Sequence, residues 1–135
     1  MRLLVVCLVG LALSAPLASG ALAENWQPVP GDPTFRYDQD FMRVDEQSGL
    51  VVLRYASGGR AGPYASWPTT KSPIMMFALD CAADGVIDLG LDYKGDGKLP
   101  RNWRAAQKDT GISAMVGPAG KMACEKKDSL PKAAL

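Results

Sequence analysis

The chain contains no histidine, and its 135 residues carry nearly equal numbers of basic and acidic side chains, 15 and 14. Without histidine, the sequence lacks the most common general base, the most common metal ligand and the base of the histidine-dependent catalytic triads. The balanced charge gives no electrostatic footprint for nucleic acid. We therefore expect a protein that is not an enzyme, needs no cofactor and binds no nucleic acid.

Motifs for phosphate and calcium are missing as well. The glycine-rich stretch 58–62 lacks the lysine and the hydroxyl residue that complete a phosphate-binding loop. Aspartates recur every four residues over 80–96, but a calcium loop that began at Asp80 would place Ala82 and Leu91 where oxygen ligands are required. We expect these aspartates to lie on a solvated face of a sheet, with no metal.

The first 23 residues predict an export signal. Arg2 gives a short basic start, residues 3–13 form an apolar core, and Ala21 and Ala23 place small side chains before the cleavage point. The apolar core is shorter than the ~20 residues that span a bilayer, and no later segment is apolar enough to do so. We expect processing before Glu24 and a location in the periplasm, in the medium or at the cell surface.

The processed chain has the length of one domain. We place this domain over residues 24–128 and expect a flexible tail over 129–135. The two cysteines that remain, Cys81 and Cys124, predict a disulfide because an exported protein matures in an oxidising compartment. The bond would close a loop of about 44 residues, which the chain-entropy model values at about 4 kcal/mol.

Three segments predict a mostly antiparallel sheet. Residues 50–55 and 74–79 are short and apolar, as buried strands are. Asp84 and Gly85 then predict a tight turn, with Cys81 at the turn end of a hairpin. In the following strand, 86–93, apolar side chains alternate with smaller or polar ones. We expect its apolar face to consist of Ile87, Leu89, Leu91 and Tyr93, and its other face to be largely wet.

The remaining segments complete an α+β fold. Phe35, Tyr37 and Phe41 predict a further strand with one covered face. The carboxylates between them would be exposed on the opposite face. Residues 101–109 are compatible with a strand or an irregular helix. Pro118 predicts the start of a short C-terminal helix, which the disulfide would tether to the sheet.

Spaced residues along the chain resemble the surface-adhesin protein E family, small exported domains of Gram-negative bacteria. The resemblance covers most of residues 26–124. Its matching positions are Trp26, Val29, Tyr37, Asp38, residues 50–55, Tyr64, Ser66, Asp80, Cys81, Tyr93, Gly117, Pro118 and Cys124. It implies an antiparallel sheet with a C-terminal helix held across one face by the cysteine pair, and attachment to host surface proteins. No binding segment of the named adhesin matches residue by residue.

Aromatic and arginine side chains around the glycine-rich loop are the candidate protein-binding residues, because interface centres favour both types. They are Arg54, Tyr55, Arg60, Tyr64 and Trp67. The alternative places Tyr55 and Trp67 in the core and leaves Tyr64 exposed.

The sequence therefore predicts an exported, non-enzymatic binding domain, with a surface adhesin that contacts host matrix proteins as the expected role. The alternative role is a periplasmic accessory or structural protein that supports another envelope component. An exposed strand edge would also allow a homodimer.

Overall fold

A computed structural model describes residues 24–57 and 74–135. The predicted signal lies outside the described residues, as do Arg60, Tyr64 and Trp67. The strands of the described part are β1 Trp26–Val29, β2 Asp32–Asp38, β3 Arg43–Asp45, β4 Val51–Ser57, β5 Ile74–Asp80, β6 Gly85–Leu91, β7 Asp109–Thr110 and β8 Lys132–Ala133. The helices are α1 Ile112–Met115 and α2 Pro118–Glu125, with 3₁₀ turns at Trp103–Ala105 and Lys127–Ser129.

The strands form one sheet in the order β1-β2-β4-β5-β6-β7. Every pairing along this path is antiparallel. The short strand β3 also pairs antiparallel with β4, along the same edge of β4 as β2, and pairs in parallel with β8. The prediction of a mostly antiparallel sheet is confirmed. In the part of the chain that the structure describes, no helix is long and apolar enough to cross a membrane.

One side of the sheet, here called the helix face, packs against α1 and α2. Leu53 and Leu79 from the central strands meet Met122 and Ala123 of α2 in one buried cluster. Gly120 allows the two helices to approach closely, because a Cβ at this position would lie 2.5 Å from the Ile112 side chain. The predicted disulfide is confirmed: Cys81, which follows β5, is bonded to Cys124 of α2 with 5.5 Å between their Cα atoms.

The opposite side, here called the loop face, is covered by the chain that follows β6. Val52, Ala78 and Ile87 alternate in sequence with the residues of the helix face, and they pack against Phe41 and Trp103. The central strands are therefore apolar on both faces, which explains their nearly continuous apolar sequence. Residues 101–109, which are compatible in sequence with a strand or an irregular helix, contain the 3₁₀ turn Trp103–Ala105 and the first residue of the short strand β7.

The alternation predicted for residues 86–93 breaks at a β-bulge. Met76 pairs with Gly90 while the next residue, Phe77, pairs with Asp88, so β6 contains one extra residue. One extra residue reverses the direction of every later side chain. As a result Leu91 and Tyr93 are 37% and 81% exposed. The prediction that both lie on the covered apolar face is wrong beyond Leu89, and so is the solvated position predicted for Asp92, which is 7% exposed.

Two other predictions differ from the structure. Strand β2 ends at Asp38, so Phe41 lies beyond the strand and packs into the loop-face cluster instead. The tail was expected to be loose, but Val44 and Asp45 of β3 pair in parallel with Lys132 and Ala133. Backbone hydrogen bonds to β3 therefore hold a segment whose composition gave no strand signal.

Candidate functional site

Arg54 occupies the loop face of β4, where its neighbours in the strand, Leu53 and Tyr55, point to the opposite face. Its guanidinium is buried, with a side-chain exposure of 3%. Asp38 of β2 lies beside it and accepts from both Nε at 2.9 Å and Nη2 at 2.7 Å through the same oxygen, Oδ2. The carboxylate of Asp38, predicted to be exposed, is fully buried because this pairing offsets its loss of water.

Asp92 supplies the second carboxylate of the cluster. Its Oδ2 lies 3.1 Å from Arg54 Nη1 and also accepts the backbone N–H of Gly97 at 2.8 Å. Its Oδ1 accepts the N–H of Asp96, and Arg54 Nη1 donates to the carbonyl oxygen of Gly95 at 3.2 Å. The buried arginine thus fixes the turn that follows β6, and the bulge is what directs Asp92 towards it.

Glu24, the first residue that the structure describes, joins the same cluster. Glu24 lies 3.3 Å from Arg54 Nη2 and accepts from the indole N–H of Trp26. The guanidinium also lies over two rings, 5.5 Å from the centroid of Trp26 and 4.9 Å from that of Phe41. A single cation therefore links three chain segments that carry three carboxylates. These residues, Glu24, Asp38, Arg54 and Asp92, are here called the arginine cluster.

The turn that the arginine cluster fixes forms part of the lining of a surface groove of about 410 Å³, here called the β6 groove. Buried side chains of Met76 and Leu89 line its apolar interior. Leu91 and Tyr93, which are both exposed, are also among the residues that line it. The rest of its lining comes from the chain after β6, including Lys94, Lys98, Leu99, Pro100 and Arg101.

Chain topology places the β6 groove at one end of the sheet. Ala56 of β4 pairs with Ile74 of β5, and Met75 pairs with Leu91 of β6. The chain leaves β4 at Ser57 and enters β5 at Ile74, so the ends of the segment 58–73 are attached to the same end of the sheet.

The two predicted binding residues that the structure describes are both buried. Arg54 is 2% exposed and engaged by carboxylates, and Tyr55 is 7% exposed on the helix face. Tyr55 stacks on Phe77 with 5.8 Å between ring centroids. Burial, together with the charge of Asp88, raises the pKa of the Tyr55 hydroxyl. Neither side chain is on the surface: Arg54 is buried in the arginine cluster, and Tyr55 takes the core position that the alternative gives it.

A second ionic cluster secures the other end of the described chain. The fully buried Asp45 receives Nε and Nη2 of Arg104 at 2.8 and 2.7 Å, a bidentate pair. Arg104, followed by hydrogen bonds from Ser48 and the Leu135 N–H, holds the pKa of Asp45 well below its usual range despite the opposing effect of burial. Arg104 also donates to the backbone oxygen of Leu135. Neither Asp45 nor Arg104 lines the β6 groove, and this cluster joins β3, the end of the chain after β8 and the Trp103–Ala105 turn.

Gly90 is the sequence signal that would have located the groove. An isolated glycine inside an alternating strand pattern indicates a bulge. Its φ of +85° lies in the left-handed region that favours glycine, and its N–H donates to the Asp88 carboxylate at 2.8 Å. A bulge at this glycine predicts that Leu91 and Tyr93 turn outward.

Within residues 24–57 and 74–135, no group of three or more His, Cys, Asp or Glu side chains could hold a metal ion. The arrangement offers apolar and cationic contacts for a partner. Neither a protein-family model, nor a curated protein, nor a solved structure matches the chain.

Proposed function

We propose that this protein is an exported, non-enzymatic binding domain, and that the β6 groove is its contact surface. The observation that carries the proposal is the exposure of Leu91 and Tyr93, at 37% and 81%, beside a groove with an apolar interior. Exposed apolar side chains grouped at a concave site mark interaction surfaces more often than scattered ones do. Tyrosine is also among the side chains that contribute most to interface affinity.

The arginine cluster supports this proposal. A binding surface costs less free energy to use when it is already ordered. Arg54 and Asp92 fix the backbone of the turn at Gly95 and Gly97, which presents Tyr93 and its neighbours in one arrangement. The network is thus suited to preorganising a contact surface.

Export and adhesion belong to the same proposal. The disulfide between Cys81 and Cys124 is compatible with a protein that matures outside the cytoplasm. The predicted signal over residues 1–23 and the resemblance to the surface-adhesin protein E family add sequence support for a role at the cell surface. A host matrix protein is the partner that this resemblance favours, and a periplasmic envelope component is the second candidate. A homodimer is compatible with either role.

Protease treatment of intact cells of the native host tests the location. Digestion of the protein from the surface, or its recovery from the medium, is the expected result, and a panel of host matrix proteins then tests adhesion. Protection in the periplasm would contradict adhesion and favour the envelope partner.

Substitutions in the groove test the contact surface on whichever partner is found. Leu91→Ser with Tyr93→Ser should weaken binding about tenfold or more, because two exposed apolar contacts are lost. Met115→Ser on α1 is the matched control, since Met115 is also an exposed apolar side chain, at 36%. Equal binding by the double variant and the control would contradict the assignment of the β6 groove.

A further inference from the structure

Charge distribution around the β6 groove points to one class of partner. Lys94, Lys98 and Arg101 are all exposed on its lining. Among the residues that the structure describes, none of these three cations forms a salt bridge. Three exposed positive charges therefore face solvent around an apolar interior.

The two carboxylates in the groove lining, Asp92 and Asp96, accept hydrogen bonds from backbone N–H groups of the groove itself. Asp92 is buried and satisfied by Arg54 and by two backbone N–H groups. Asp96 is exposed, but its Oδ1 accepts the N–H of Lys98 at 3.0 Å. The groove thus presents three cations and one exposed carboxylate to a ligand, which favours a negatively charged partner.

We propose that the β6 groove binds an acidic protein segment that carries an apolar side chain. The apolar side chain enters beside Leu91 and Tyr93, and the acidic groups lie against Lys94, Lys98 and Arg101. The apolar interior formed by Met76 and Leu89 is recessed within a groove of about 410 Å³, which suits an inserted side chain better than a flat lipid surface. This inference rests on the proposed function, since it names the class of partner for the same site.

Peptide binding to the exported full chain, purified after processing, tests the inference. One fluorescent peptide alternates glutamate with leucine and phenylalanine, a second has serine in place of each glutamate, and a third has lysine. The triple variant Lys94→Gln, Lys98→Gln and Arg101→Gln removes the groove cations. The triple variant Lys121→Gln, Lys127→Gln and Lys132→Gln is the matched control, because it changes the net charge equally at positions outside the groove lining.

The glutamate peptide should bind the native protein and the control alike, and the groove triple variant should weaken its binding about tenfold. Added salt should weaken it as well. Failure of the glutamate peptide to bind, or equal binding by both triple variants, would overturn the inference.

Two further outcomes separate the inference from the proposed function. Preference for the serine or lysine peptide that is abolished by Tyr93→Ser would overturn the acidic partner but leave the groove as a contact surface. Binding to phosphatidylglycerol vesicles without binding to the glutamate peptide would overturn both, because the surface would then recognise lipid.

Discussion

At the residue scale, Arg54 determines how the loop face is held together. It joins Glu24 before β1, Asp38 at the end of β2 and Asp92 after β6. The sequence singled out Arg54 as a binding residue, yet its partners are distant in the chain. Gly90 signals the bulge that turns Asp92 towards Arg54, but no local pattern shows that Glu24 and Asp38 meet the same guanidinium.

Replacement of Arg54 by methionine should cost about 3–5 kcal/mol of the free energy of unfolding, since it leaves the buried Asp38 and Asp92 carboxylates without their cation. Chemical denaturation measures the loss. Arg36→Met is the matched control, because Arg36 is exposed on β2, and it should change stability by less than about 0.5 kcal/mol. A similar small effect for Arg54→Met would show that the cluster is not a structural centre.

Asp45 should make the stability sensitive to acid. Its pKa is lowered in the folded protein, chiefly by Arg104, so its contribution is complete above the unfolded pKa of about 3.9 and is lost as the pH falls below that value. Asp45→Asn should lower the Tm at neutral pH and flatten the decline of Tm below pH ~4. Thermal melts across pH test this, with the exposed Asp109→Asn as control. Parallel acid profiles for the native protein and Asp45→Asn would refute it.

At the element scale, the bulge in β6 determines which side chains after Leu89 are exposed beside the β6 groove. Gly90→Ala should destabilise the protein by about 1 kcal/mol, because the φ of +85° at Gly90 strains a residue that carries a Cβ. A Cβ at this position would meet no atom within 4 Å, so a steric clash is not the cause. Gly90→Asn should cost less, since asparagine tolerates positive φ better. Denaturation curves compare the two. Equal losses would argue that strain at this position is not what selects glycine.

The attachment of α2 to β5 depends on the disulfide. Replacement of Cys81 and Cys124 by serine should remove up to about 4 kcal/mol, because the unfolded chain regains the freedom of a loop of about 44 residues. We expect a lower Tm and faster proteolysis over 118–125, where α2 would no longer be fastened. An unchanged Tm would contradict a structural role for the bond.

At the scale of the whole molecule, the two faces of one sheet are held by different means. The helix face is apolar and fastened by the disulfide, whereas the loop face combines an apolar cluster with the arginine cluster. Local signals were enough to predict several elements from the sequence: apolar runs predicted the central strands of the sheet, Asp84-Gly85 predicted the turn over 81–84, and Pro118 predicted the start of α2. The outward position of Tyr93 follows only when Gly90 is taken as the signal of a bulge. The pairing of β8 with β3 has no local signal, because it depends on contacts between distant parts of the chain.

Photo-crosslinking tests most directly whether Tyr93 lies in a contact surface for another protein. A photo-crosslinking amino acid is placed at position 93 in cells of the native host, with the same group at position 115 as control. We expect a discrete adduct with one partner from position 93 and none from position 115. Absence of adducts from position 93, or the same adducts from both positions, would contradict it.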